Sequence, residues 1–197
     1  MKKQIVLATL LSLFCSISSA HPGHGLAGGG LGGGLEVAYA GFMHPLTGWD
    51  HLLVMLAIGV WASKLGGKAR WQLPLTFLSI MTLGAVLGLA GITFPAVETA
   101  IAASVMAMGL LLVINLPISA ISRIGIVALF AVFHGMAHGV ELHSQQSYAA
   151  LGGMLFATAL LHGAGLLLGS QRVQLAKWLY NSLAWLMLFT GSYLMLS

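Results

Sequence analysis

Long apolar segments, separated by short polar turns, dominate the pattern of this chain. Six of them lie close to the roughly 20 residues that an α-helix needs to cross a bilayer. Prolines stand where helices accept them, with Pro95 before the third segment and Pro117 after it. The pattern predicts an all-α membrane protein, a single domain of about six transmembrane helices in a bundle, over residues 46–63, 73–92, 96–116, 121–140, 148–169 and 175–196.

The first 20 residues have the layout of a secretory signal peptide. Lys2 and Lys3 supply positive charge, residues 5–15 an apolar run, and residues 18–20 the small side chains of a cleavage site. A retained first span is the alternative, but an apolar run of about a dozen residues is short for spanning. We therefore predict that residues 1–20 are removed and that the mature domain is residues 21–197.

Residues 21–43 form a His- and Gly-rich leader that leads into a short helix. Residues 28–34 are nearly all glycine, so they suit either a flexible linker or a helix face that allows close approach. The predicted topology leaves no room for another complete crossing here. We expect this segment to be re-entrant, to lie on the membrane surface, or to form part of a broken first span.

Composition places the chain in a membrane and excludes several classes of function. Only 6% of the residues are charged and 58% are hydrophobic, whereas soluble domains carry about 25% charged residues. Eight Lys and Arg residues are too few and too scattered for a nucleic-acid partner. The one cysteine, Cys15, lies in the signal segment, so disulfides and thiolate ligands are not expected in the mature chain.

The distribution of basic residues predicts the orientation. They lie in alternate loops, at residues 64–70, at Arg123 and at residues 172–177, whereas the loops at 91–95 and 142–147 contain none. Because basic loops stay in the cytoplasm, we expect the mature N- and C-termini both to lie on the outer side of the membrane.

Two polar clusters stand out against the apolar background. His134, His138 and Glu141 are spaced i, i+4 and i+7, which places them on one face of a helix. Ionisable groups within a membrane are costly and are functional candidates by default. Histidines that simply pack against a neighbouring helix are the structural alternative. Imidazole and carboxylate at this spacing form half of a divalent-metal site.

The second cluster is His44, Asp50 and His51, at the start of the first span. Thr47 and Asp50 also have the spacing of a helix capping box, which is the structural explanation for Asp50. The predicted topology places both clusters at the outer face of the membrane. We therefore expect one metal site built from the first and fourth spans.

Four other residues are secondary candidates for metal binding. His21 and His24 would stand at the new N-terminus, as metal ligands or as part of an unstructured leader. Glu98 either contributes to the site or complements the dipole of its helix. His162, deeper in the fifth span, is either an onward relay or a packing residue.

At these motifs the chain resembles the HupE/UreJ family of nickel permeases, found beside hydrogenase and urease genes. His44, separated by five residues from Asp50-His51, matches its first signature, and Phe133 to Glu141 matches Phe-His-Gly-x-Ala-His-Gly-x-Glu. The resemblance implies a secondary permease or channel of the bacterial inner membrane that imports Ni²⁺, or Co²⁺, for hydrogenase or urease maturation proteins. Both mature termini would then be periplasmic. The ion would be cargo, with no permanently bound cofactor.

Three other functions are considered. A membrane metal sensor or chaperone would bind without transport, and a haem protein would use paired histidines as axial ligands. A zinc hydrolase is disfavoured because the chain has no His-Glu-x-x-His motif. No Gly-x-x-x-x-Gly-Lys-[Ser/Thr] loop occurs either, so we expect neither an enzyme nor an ATP-driven pump.

Overall fold

The computed structural model describes residues 31–114, 116–143, 148–170 and 176–196. Every regular element within these ranges is an α-helix, in agreement with the predicted all-α class. The helices begin and end within about four residues of the predicted segments, a scatter close to the usual uncertainty of helix ends. They are α1 (Leu31–Thr47), α2 (Trp49–Leu65), α3 (Ala69–Leu89), α4 (Val97–Val113), α5 (Ala120–His143), α6 (Tyr148–Leu168) and α7 (Ala176–Leu196).

Three of the helices are long and apolar enough to cross a membrane, namely α3, α5 and α6. The pair α1 and α2 counts as a fourth if the two helices, bent by 78° at their junction, form one broken span or re-entrant loop. This is one of the arrangements expected for the Gly-rich leader. A count of six spans goes further and stays a prediction, and the signal segment lies outside the described residues.

Helix α2 occupies the centre of the bundle. It contacts α1, α3, α4, α6 and α7. Most of its side chains are buried all round the helix, as expected for a helix enclosed by others rather than one with a single covered face. Its buried residues are His51, Leu53, Val54, Met55, Ala57, Ile58, Gly59, Val60, Trp61, Ala62 and Ser63.

Glycines allow the closest helix contacts. A Cβ at Gly139 of α5 would stand 2.8 Å from the Cα of Gly88 on α3. A Cβ at Gly84 of α3 would stand 3.1 Å from the backbone nitrogen of Met136 on α5. Small residues at such spacing let helix backbones approach within membranes. Because residue numbers rise together along this contact, α3 and α5 run parallel. Gly59 and Gly165 join α2 to α6 in the same parallel sense.

The same contacts define the two ends of the bundle. Asp50 and His51 stand at the start of α2, and Lys64 stands at its end. Near that second end Lys64 donates a hydrogen bond to the carbonyl oxygen of Leu112, in the last turn of α4. The lysine therefore stabilises the carbonyl end of a neighbouring helix. The histidines of the two motifs lie at the opposite end.

Candidate metal centre

Three histidines from three helices converge at one end of the bundle. They are His44 in the last turn of α1, His51 in the first turn of α2 and His138 near the end of α5. One ring nitrogen from each lies within 4.8 Å of those of the other two. The ring centroid of His138 lies 4.9 Å from that of His44 and 4.5 Å from that of His51. The two sequence motifs thus meet, as the predicted topology requires.

The break between α1 and α2 brings His44 and His51 together. Gly48 separates the helices, and a side chain there would be crowded, because a Cβ would lie 3.1 Å from His51 Nδ1 and 3.2 Å from Asp50 Oδ1. The predicted capping box is wrong. The Thr47 hydroxyl donates back to the carbonyl oxygen of His44 at 3.0 Å, so Thr47 finishes α1, and the N-cap of α2 is Gly48, with no side-chain cap.

Asp50 instead orients His51. Its Oδ1 atom accepts a hydrogen bond from the backbone N–H of His51 at 2.9 Å and another from the ring Nδ1–H at 2.7 Å. A carboxylate can only accept, so the ring proton lies on Nδ1 and the lone pair on Nε2. This carboxylate–imidazole pairing is the arrangement that orients metal-binding histidines in proteins and makes them more basic.

His134 is oriented in the same way, one turn before His138. Its Nδ1–H donates to the carbonyl oxygen of Phe130 at 2.9 Å, which leaves the Nε2 lone pair unprotonated. The ring centroid of His134 lies 5.2 Å from that of His51. His134 therefore adjoins the group of three, on the side deeper within the bundle.

Glu141 lies at the outer edge of the cluster. Its Oε2 atom is 3.3 Å from His44 Nε2 and 3.6 Å from His138 Nδ1. The side chain of Glu141 is 56% exposed, whereas that of His138 is fully buried. Exposure thus falls from Glu141 inward, and a cation arriving from water would meet the carboxylate first.

Several buried ring nitrogens have no hydrogen-bond partner within the described part of the chain. In the cluster they are His51 Nε2, His134 Nε2 and both nitrogens of His138. Buried polar atoms without partners cost about 1–3 kcal/mol each, and most are satisfied in native proteins. A divalent cation bound between these rings would take the lone pair of one nitrogen from each imidazole, and a carboxylate can accept from the second nitrogen of His138, whose Nδ1 lies 3.6 Å from Glu141 Oε2. The two carboxylates, Asp50 and Glu141, would balance the charge of the cation.

The secondary candidates divide into three groups. Glu98, in the first turn of α4, lines a cavity of about 340 Å³ together with Asp50, so it adjoins the centre without joining the histidine cluster. His162 lies deeper, fully buried on α6. His21 and His24 lie outside the described residues. Three of the four acidic residues of the sequence, Asp50, Glu98 and Glu141, therefore lie in or beside the centre.

Phe77 was not anticipated from the sequence. This fully buried residue of α3 places its ring centroid 5.7 Å from that of His134 and 5.2 Å from that of His162. A phenylalanine in an apolar helix carries no motif, and only the packing of three helices reveals its position.

Asp50→Asn provides a test of the orienting carboxylate. The amide keeps the shape of the side chain but loses the negative charge, and it can offer an N–H where His51 requires an acceptor. We expect Ni²⁺ affinity of the purified protein to fall about 10- to 100-fold, the usual cost of losing such a partner. Equilibrium dialysis with radiolabelled Ni²⁺ measures this, and an unchanged affinity would show that Asp50 does not act on the centre.

Comparison with known proteins agrees with the motifs. The family model described as HupE / UreJ protein matches residues 9–194. The chain is 41% identical over 167 residues to Protein HupE of Rhizobium leguminosarum bv. viciae, with 84% of each chain covered. No solved structure matches. The chain therefore belongs to the HupE/UreJ family, whose members are accessory membrane proteins with a role in nickel or cobalt transport.

Proposed function

We propose that this protein is a secondary permease or channel that carries Ni²⁺, or Co²⁺, inward across the bacterial inner membrane. The observation that carries the proposal is the meeting of His44, His51 and His138 within 4.8 Å of one another. Imidazole nitrogen suits Ni²⁺ and Co²⁺ better than it suits Mg²⁺ or Ca²⁺, which prefer oxygen ligands. The imported ion would serve the maturation of hydrogenase or urease.

Charge balance supports capture at the periplasmic end. A divalent ion leaving water loses its hydration, and nearby negative groups offset that cost. Glu141, exposed at the edge of the cluster, supplies the first negative charge, and Asp50, bonded to His51, supplies the second. We place both termini of the mature protein in the periplasm, because the basic residues Lys64, Lys68 and Arg70 precede or begin α3 at the opposite end.

Uptake of radiolabelled Ni²⁺ by cells expressing the protein tests this function. We expect uptake above that of cells without it, reduced by excess Co²⁺ and little changed by excess Mg²⁺. His51→Ala removes a ligand and His134→Ala removes the imidazole behind it, so we expect both to lower uptake strongly. Leu129→Ala, at a 55%-exposed position of α5, is the matched control and should transport like the parent.

Absence of uptake by a correctly inserted parent would contradict transport. Ni²⁺ binding by the purified protein would then favour a sensor or chaperone. A Soret absorption band would instead identify a haem protein. Normal uptake by both histidine variants would leave transport in place but would exclude this centre as its site.

A further inference from the structure

His162 is a buried imidazole that the outer cluster does not use. It is 1% exposed, and neither of its ring nitrogens has a hydrogen-bond partner in the described ranges. A Cβ at Gly59 of α2 would collide with the backbone carbonyl oxygen of His162 on α6, so these two residues lie at the same depth in the bundle. Gly59 lies eight residues beyond His51, so His162 is about 12 Å further along the bundle.

Side chains that can bind a metal ion lie between the two levels of the bundle, the outer level of His51 and the inner level of His162. Met55 follows His51 by four residues on α2, and Thr158 precedes His162 by four residues on α6, so each pair shares a helix face. The hydroxyl of Thr158 donates to the thioether sulfur of Met55 at 3.2 Å, and both side chains are fully buried. Imidazole, thioether, hydroxyl and imidazole thus follow one another inward.

Packing alone does not account for this imidazole. A structural histidine usually bonds to a neighbouring polar group, yet neither ring nitrogen of His162 has a partner in the described ranges. The hydroxyl of Thr158, one turn away, donates to Met55. The ring of Phe77 contacts the rings of both His134 and His162, so it stands between the outer cluster and the inner imidazole.

We propose that His162 is an inner binding station for the transported cation, reached from the outer cluster past Met55 and Thr158. The inference rests on the proposed transport function and extends it. Thioether and imidazole are soft to borderline ligands, whereas Mg²⁺ and Mn²⁺ prefer carboxylate and water. The inner station therefore selects for Ni²⁺ or Co²⁺, since the carboxylates of the outer cluster would also accept harder ions.

His162→Leu separates this role from packing. Leucine removes two buried nitrogens that have no partner, so the thermal midpoint of the detergent-solubilised protein should stay equal or rise. Nickel uptake at equal membrane abundance should fall at least about tenfold, the factor that corresponds to 1.4 kcal/mol of lost binding free energy. The affinity of the outer cluster for Ni²⁺, measured by equilibrium dialysis, should not change.

Met55→Leu is the second variant, because it conserves volume and removes only the sulfur. It should also lower uptake, whereas Met187→Leu, at an equally buried methionine of α7, should not. Uptake within twofold of the parent in both His162→Leu and Met55→Leu would overturn the inner station. Loss of outer-cluster binding in His162→Leu would overturn it too, because the two levels would then be one site.

The inner station can also be tested if the protein does not transport Ni²⁺ at all. If the parent takes up no Ni²⁺, dialysis of the purified protein decides the question. A second, weaker Ni²⁺ that is present in the parent and absent in His162→Leu would support the inner station. Identical binding curves would overturn it.

Discussion

Replacement of His138 by alanine is expected to abolish nickel uptake while leaving the protein folded in the membrane. His138 lies next to both His44 and His51, and it carries two buried nitrogens without hydrogen-bond partners in the described structure. Structural zinc sites with four ligands bind with about 10–16 kcal/mol, which is roughly 3 kcal/mol per ligand. Loss of one imidazole should therefore weaken Ni²⁺ binding about a hundredfold.

The fold should tolerate this change better than it tolerates an ordinary core truncation. Alanine at position 138 leaves a cavity, but it also removes two buried polar atoms that have no hydrogen-bond partner in the described structure. Met136→Ala is the matched control, since Met136 is buried to a similar degree on the same helix. It should lose stability by about 2–5 kcal/mol yet retain uptake per folded molecule. Uptake retained by His138→Ala would contradict the assigned centre.

Gly139→Val is expected to disrupt the contact between α3 and α5. A Cβ at Gly139 would collide with the carbonyl oxygen of Ala85 and stand 2.8 Å from the Cα of Gly88. These are backbone atoms, so the helices must separate, and overpacking of this kind costs about 1–3 kcal/mol or more. We expect a lower thermal midpoint and lost uptake, because His138 is the preceding residue and would be displaced from His51.

Gly125→Ala is the control for that change. Gly125 lies on the same helix, and a Cβ there would meet nothing within 4 Å. Alanine favours a helix over glycine by about 0.5–1 kcal/mol, so this variant should be as stable as the parent or more stable. A Gly139→Val protein with the parental midpoint would show that α3 and α5 do not approach so closely.

Spacing and topology predicted much of the centre. The i, i+4 and i+7 positions of His134, His138 and Glu141 needed only the geometry of a helix. The alternation of basic loops then placed His44 and His51 at the same level. These two local rules bring both motifs together without any knowledge of how the helices pack.

Packing and backbone breaks could not be predicted in this way. The bend at Gly48 depends on where α1 ends. The hydroxyl of Thr47 donates to a carbonyl oxygen of α1 and does not cap α2. Helix ends are the least certain part of any sequence-based prediction. Nothing in the sequence indicated that Phe77 lies at the site. Its position depends on contacts with His134 on α5 and His162 on α6, and the spacing of hydrophobic residues does not predict such contacts between helices.

Nickel-edge anomalous diffraction from crystals of the protein grown with one equivalent of Ni²⁺ is the most direct measurement of the centre. The prediction is one strong anomalous peak among the ring nitrogens of His44, His51 and His138, with Glu141 at its outer edge. A strongest peak elsewhere, or none among these residues at full nickel occupancy, would contradict a metal site built across three helices.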